Sequence, residues 1–126
     1  MNLLKETLSK LEKNGKSKND VLWVGCSDFK TTWENFEAIS NTEYDSGYGA
    51  PEVAEDLIVM GKDFWLERHE YDGSEWWEFK SKDILEPTEM RAIDAVTIGQ
   101  ATKLGRGVSC GWESLASING ITKQPT

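Results

Sequence analysis

The stretch FWLERHEYDGSEWWEFK, residues 64–80, constrains this chain more than any other. Two runs in which large apolar residues recur between charged ones flank Asp72-Gly73, and an Asp-Gly pair so placed is a strong short-range signal of a β-hairpin. The two ways of closing it imply different faces, because side chains alternate along a strand and a one-residue slip exchanges them. A two-residue turn sets Glu67 opposite Glu78 and Glu70 opposite Glu75, which is two like-charge pairs. A three-residue turn with Gly73 left-handed in a bulge instead sets His69 opposite Glu75, Trp65 opposite Phe79 and Arg68 against Trp76. Electrostatics therefore predicts the second register. Trp65, Trp77 and Phe79 would then face the core, with Phe64, Leu66 and Trp76 on the other side beside Arg68, Glu78 and Lys80.

The rest of the chain supplies partners for such a hairpin. VLWVG (21–25) and LIVMG (57–61) are compact apolar runs suited to strands. Leu4, Leu8 and Leu11 recur at helical spacing behind Asn2, predicting a helix over 2–14. Thr31 and Glu34 have capping-box spacing ahead of Phe36 and Ile39, predicting a second helix over 32–40. Trp112, Leu115 and Ile118 form a stripe that Asn119-Gly120 closes, predicting a third over 111–119. The expected fold class is α+β: a small antiparallel sheet of three to four strands, with its tight hairpin at Asp72-Gly73, packed with about three short helices. The 126 residues suit a single domain spanning 1–126. Its core is expected to hold Trp23, Trp33, Trp65, Trp77, Phe79 and Trp112, since six tryptophans in so short a chain bury large areas.

Charge is unevenly placed. Residues 21–90 carry seventeen Asp and Glu against five Lys and Arg, whereas both ends are mildly basic. Such a body repels nucleic acid and favours cationic partners. Basic patches with interleaved aromatics, the mark of direct nucleic-acid binding, do not occur in it. No apolar run is long enough for a membrane span. The N-terminus alternates leucines with charges, unlike a signal peptide, so a cytoplasmic protein is expected. Cys26 and Cys110 fit no metal spacing and are expected as reduced thiols.

One catalytic pattern is present. Gly107-Val108-Ser109-Cys110-Gly111 matches the G-x-S-x-G of a nucleophile elbow. That motif needs a strand before it and a histidine after it, whereas the sole histidine, His69, lies upstream in the hairpin. Chance explains the match better than catalysis, and no catalytic residue, metal ligand or cofactor is assigned. Gly47-x-Gly49 lacks the third glycine of a dinucleotide loop, and a lone His69 among acids suits an ion pair better than a metal.

The segments KNGKSKNDVLWVG, EYDSGYGAPEVAEDLIVMGKDFWLERHEYDGSEWWEFK and GWESLASIN resemble a family of small proteins from phages and prophages of Gram-positive bacteria. The likeness covers residues 11–25, 43–80 and 111–119, and leaves 81–110 as an apparent insertion. That family has no assigned activity, so the resemblance implies only a setting, the cytoplasm of a bacterial host. In that setting the acidic body suggests an inhibitor that binds a basic host protein, such as a defence nuclease, by occupying its nucleic-acid groove in the manner of an anti-CRISPR protein. Candidate contacts are Glu34 and Glu37 on the second helix, Glu52, Glu55 and Asp56 after the glycine loop, and Glu67, Glu70, Glu75 and Glu78 on the hairpin. Two other classes compete: a binder of a small nucleotide signal held by Tyr48, Arg68 and Trp76, and a minor structural or assembly component of the phage.

Overall fold

The computed structural model describes residues 1–45, 50–81, 87–108 and 111–121. In chain order these form α1 (Leu3–Lys13), a single 3-10 turn (Lys18–Asp20), β1 (Val21–Gly25), β2 (Lys30–Thr31) and α2 (Trp33–Ser40). There follow β3 (Ile58–Gly61), β4 (Trp65–Tyr71), β5 (Ser74–Lys80), α3 (Ile98–Lys103) and α4 (Leu115–Ile118). The fold is α+β as expected, with five antiparallel strands in the order β2-β1-β3-β4-β5. The added strand, β2, is a two-residue return after β1 that no periodicity can announce.

The hairpin closes through the tighter turn, which corrects the register expected above. Asp72 (φ 52) and Gly73 (φ 86) are both left-handed, as a two-residue turn matched to the strands' own twist requires. Glu67 therefore does face Glu78, and Glu70 faces Glu75, while Arg68 pairs with Trp77, His69 with Trp76 and Trp65 with Lys80. The like-charge cost is met locally. Glu75 accepts hydrogen bonds from Arg68 and two backbone amides, and Glu67 from Trp65 and His69.

This register sorts the faces differently. Leu66, Arg68, Glu75, Trp77 and Phe79 point to one side, Trp65, Glu67, His69, Trp76 and Glu78 to the other. The first side is the core face. Leu66, Val24, Val59 and Trp77 pack there with Leu3 and Leu11 of α1 and Phe36 of α2. Phe79 stacks on Phe64 at 5.4 Å. Trp23 and Met60, in register with Trp65, are buried on the opposite face, outside that cluster.

Two core assignments are corrected. Trp65 is only half-buried, its indole N–H donating to Glu67 at 2.7 Å. Trp112 is 58% exposed. It cannot begin a helix, since Gly111 (φ 105) and Trp112 (φ 55) are left-handed, and α4 starts only after the Ser114 cap. The cap of α2 also shifts by one: Thr32 accepts from the Asn35 amide, while the Thr31 hydroxyl bonds the Asn35 side chain.

Residues 87–108 are no appendage. Met90 bridges to Lys30, Thr97 bridges to Val53, and Asn35 holds both the N–H and the carbonyl of Ile93. Ile93, Ala95, Val96 and Ala101 join the core.

Trp77, 1% exposed, donates from its indole to the Thr7 hydroxyl at 2.8 Å, so one side chain ties β5 to α1. Trp77→Ala is expected to lose about 3–5 kcal/mol in denaturant unfolding. Trp112→Ala should stay within about 0.5 kcal/mol. Equal losses would contradict this division between core and surface.

Candidate functional site

Arg68 anchors the region where the carboxylates gather. It reaches into the core from β4, with its side chain 3% exposed. Nη2 donates to Glu75 at 2.9 Å and to the Tyr44 hydroxyl at 3.1 Å, and Nη1 lies 3.4 Å from Glu6. The guanidinium sits 4.8 Å from the Trp77 ring centroid and 5.6 Å from that of Tyr44. Tyr44 in turn donates to Glu6. Burial pushes the Tyr44 hydroxyl well above its ordinary value, with Arg68 opposing that shift and Glu6 reinforcing it, so it stays a neutral donor. Burial works against the charge on Arg68, but Tyr44, Glu6 and Glu75 outweigh it and raise its pKa.

Glu75 carries this anchor to the next loop. Its two oxygens accept the backbone N–H groups of Glu52 (2.6 Å) and Val53 (3.2 Å). The loop is held from its far side as well. Ala54 N–H donates to Val96, Ile98 N–H to Glu52, and Glu55 N–H to Glu113. The Asp56 carboxylate accepts from the Leu115 amide at 2.7 Å, at the start of α4. Gly111 passes so close to Ala50 that a Cβ there would lie 2.0 Å from the alanine methyl. Glycine is required at that point on both steric and φ grounds.

These ties leave a cleft of about 410 Å³ between residues 51–56, the turn end of the hairpin and Trp112. Four carboxylates line it, Glu55, Asp56, Glu70 and Glu75, against one guanidinium, Arg68, with His69 and Trp112 completing the wall. Glu75 and Asp56 are engaged as described. The Glu55 and Glu70 carboxylates, both on exposed residues, make no hydrogen bond or ion pair with the described residues. Trp112 stands out into solvent from a left-handed backbone that costs a bulky residue about 1–3 kcal/mol. Unpaired carboxylates beside an exposed indole suit a cation: the carboxylates neutralise it and the ring face attracts it. A lysine or arginine side chain is such a group.

The nine carboxylates named from the sequence do not form one array. Glu55, Asp56, Glu70 and Glu75 meet in the cleft. Glu52 instead accepts from the Asp45 amide at 3.0 Å. Glu67 and Glu78 face each other on the outer side of the hairpin, where Glu67 is held by Trp65 Nε1 and by His69 Nε2 at 2.7 Å each. Burial would raise the Glu67 pKa, but those hydrogen bonds and the nearby charges of His69 and Lys80 bring it below the usual carboxylate range. Glu37 pairs with Lys18 at 3.3 Å, and Glu34 lies beside them near Trp33.

Of the set Tyr48, Arg68 and Trp76, the two described members lie on opposite faces of the sheet. Arg68 is enclosed on the core face and Trp76 points to the other, while Tyr48 lies outside the described residues. Trp76 instead lines a groove with α1, beside Lys5, Lys10 and Lys13. The sequence carried one signal for that neighbourhood, an amphipathic helix rich in lysine.

Of the G-x-S-x-G match, Ser109 and Cys110 lie outside the described residues. The element before Gly107 is α3, a helix rather than the strand an elbow needs. Cys26 is a buried free thiol whose pKa is raised by burial. No group of three or more His, Cys, Asp or Glu among the described residues could hold a metal, and no described helix is long and apolar enough to cross a membrane. No protein-family model, curated protein or solved structure matches the chain.

Removing Arg68 would leave Glu75 and Glu6 buried without a counter-charge. Arg68→Met is expected to cost about 3–5 kcal/mol in chemical denaturation, and adding Glu75→Gln should recover part of it. If the double variant is no more stable than the single, the charge argument fails.

Asp94 is held below the usual range by its hydrogen bonds to Arg106 at 2.6 and 2.9 Å, and Glu67 as described. Lowered folded-state values stabilise above the unfolded pKa values of roughly 3.9 and 4.3 and are lost as pH falls through the folded ones. Melting temperature should therefore be level above about pH 5 and decline below it, and Asp94→Asn with Glu67→Gln should flatten that decline.

Proposed function

We propose that this chain is a phage-encoded protein-binding module that inhibits a basic protein of its bacterial host. The observation that carries the reading is the cleft, where the Glu55 and Glu70 carboxylates stand beside the exposed indole of Trp112. A lysine or arginine side chain of the partner seats there, between carboxylates and ring. The surrounding acidic body, −8 over the whole chain, speeds encounter with a positively charged surface.

The resemblance to phage and prophage proteins supports the setting, and the partner class follows from charge. Defence nucleases, RNA-guided ones included, line their nucleic-acid grooves with arginine and lysine, and an acidic domain seated in such a groove displaces the phosphate backbone. In this reading the contact is local, one cationic anchor in one cleft within a favourable field. A regular mimic of a phosphate backbone fits poorly, because Glu52, Asp56, Glu67 and Glu75 are held by internal hydrogen bonds. Glu55 and Glu70 are therefore the residues to reverse. Reversing Glu52 or Asp56 would break backbone ties of the loop itself.

The test is capture of a partner from host lysate at low and high salt, with matched variants. Wild-type protein should retain a basic partner that high salt releases. Glu55→Lys with Glu70→Lys should abolish retention, Trp112→Ala should weaken it, and neither should change the melting temperature. Glu34→Lys, on the far helix, should bind as wild type. A partner retained equally at both salt concentrations, or by the double reversal, would overturn the proposal.

A further inference from the structure

We infer that the groove between α1 and the outer edge of β5 binds a free nucleoside phosphate. β5 is the last strand of the sheet, so side chains from both of its faces can line one groove. Trp77 contributes from the core side and Trp76 from the opposite side. The opposite wall is α1, with Lys5, Ser9 and Lys13 one turn apart on a single stripe and Lys10 beside them. The groove measures about 400 Å³, within the range of pockets that hold small ligands.

Its chemistry is the reverse of that of the acidic cleft. Lys16 and Lys18 are paired with Asp63 and Glu37, but Lys5, Lys10 and Lys13 make no ion pair with any described carboxylate. In a chain of net charge −8, three ammonium groups without counter-charges gather at this one groove. Glu6, which also lines it, already has its carboxylate engaged by Arg68 and Tyr44. An anion is thus the fitting guest. A ring on that anion is favoured by the indole beside it. Trp77 cannot stack, because it is buried and held to Thr7, whereas Trp76 is half-buried and lines the groove from the edge strand. Lysines for a phosphate tail and an aromatic face for a base together describe a nucleoside phosphate. The acidic body argues for a free nucleotide over a strand, since each further phosphate of a polymer would meet that field. No residue lines both this groove and the acidic cleft, so either site can fail without the other.

Calorimetric titration with ATP, GTP, CTP and UTP tests this, with inorganic triphosphate, adenosine and a 5′-phosphorylated single-stranded decamer as comparisons. Saturable binding of at least one nucleoside triphosphate is expected, with inorganic triphosphate weaker by about tenfold or more for want of the stacked base. Trp76→Leu should weaken binding by a similar factor, as should Lys5→Ala, Lys10→Ala and Lys13→Ala combined. Trp112→Ala should leave it unchanged. If Trp76→Leu lowers the melting temperature, Trp76→Tyr must keep most of the affinity, because a ring remains. The inference is overturned if no nucleoside triphosphate saturates at millimolar concentration. Tighter binding of the decamer, or undiminished binding by these variants, would overturn it equally.

Discussion

The placement of Arg68 governs the rest of this structure. A guanidinium enclosed in a core this small is unfavourable unless its charge and donors are met, and the partners that meet them come from three parts of the chain. Glu6 arrives on α1, Tyr44 on the loop after α2, Glu75 on β5, and Trp77 supplies an aromatic face. Its Nε is left without an acceptor among the described residues, so the fit is close but incomplete. Because each partner is itself tied further, Glu75 to the 52–53 backbone and Trp77 to Thr7, the cluster fixes where α1 and the cleft loop sit relative to the hairpin.

That arrangement explains why an acid-rich hairpin tolerates its own charge. Glu75, opposite Glu70, is drawn inward and neutralised by Arg68, while Glu70 stays in solvent. Glu67, opposite Glu78, is held by an indole N–H and an imidazole. Turn geometry decided the register, and the side chains then found partners for the charges that the register brought together. A local rule about like charges predicted the other outcome because it could not see donors arriving from elsewhere in the fold.

The surface left over is divided. At the turn end of the hairpin, carboxylates and an exposed indole suit a cation; along the outer edge of β5, lysines and a second indole suit an anion. The first lies at the turn end of the hairpin and the second between α1 and β5, and no residue lines both. The core cluster around Arg68 and Trp77 lies between them and neutralises the charges that would otherwise connect them.

Much of the frame was legible in the chain itself. Apolar runs located β1 and β3, the leucine spacing of α1 and the residues around Thr32 marked two helices, and Asp72-Gly73 marked the hairpin, because each signal lies within a few neighbouring residues. What depends on distant residues was not legible. The two-residue β2, the core role of Ile93 and Val96, and the exposure of Trp112 arise from pairings across the chain. So does the division of the carboxylates. Residue type made all nine equal candidates, but only the tertiary structure turned Glu75 and Asp56 toward backbone amides and left Glu55 and Glu70 facing water. Charge is a property of the residue; whether it is available depends on which donors the fold brings within hydrogen-bonding distance.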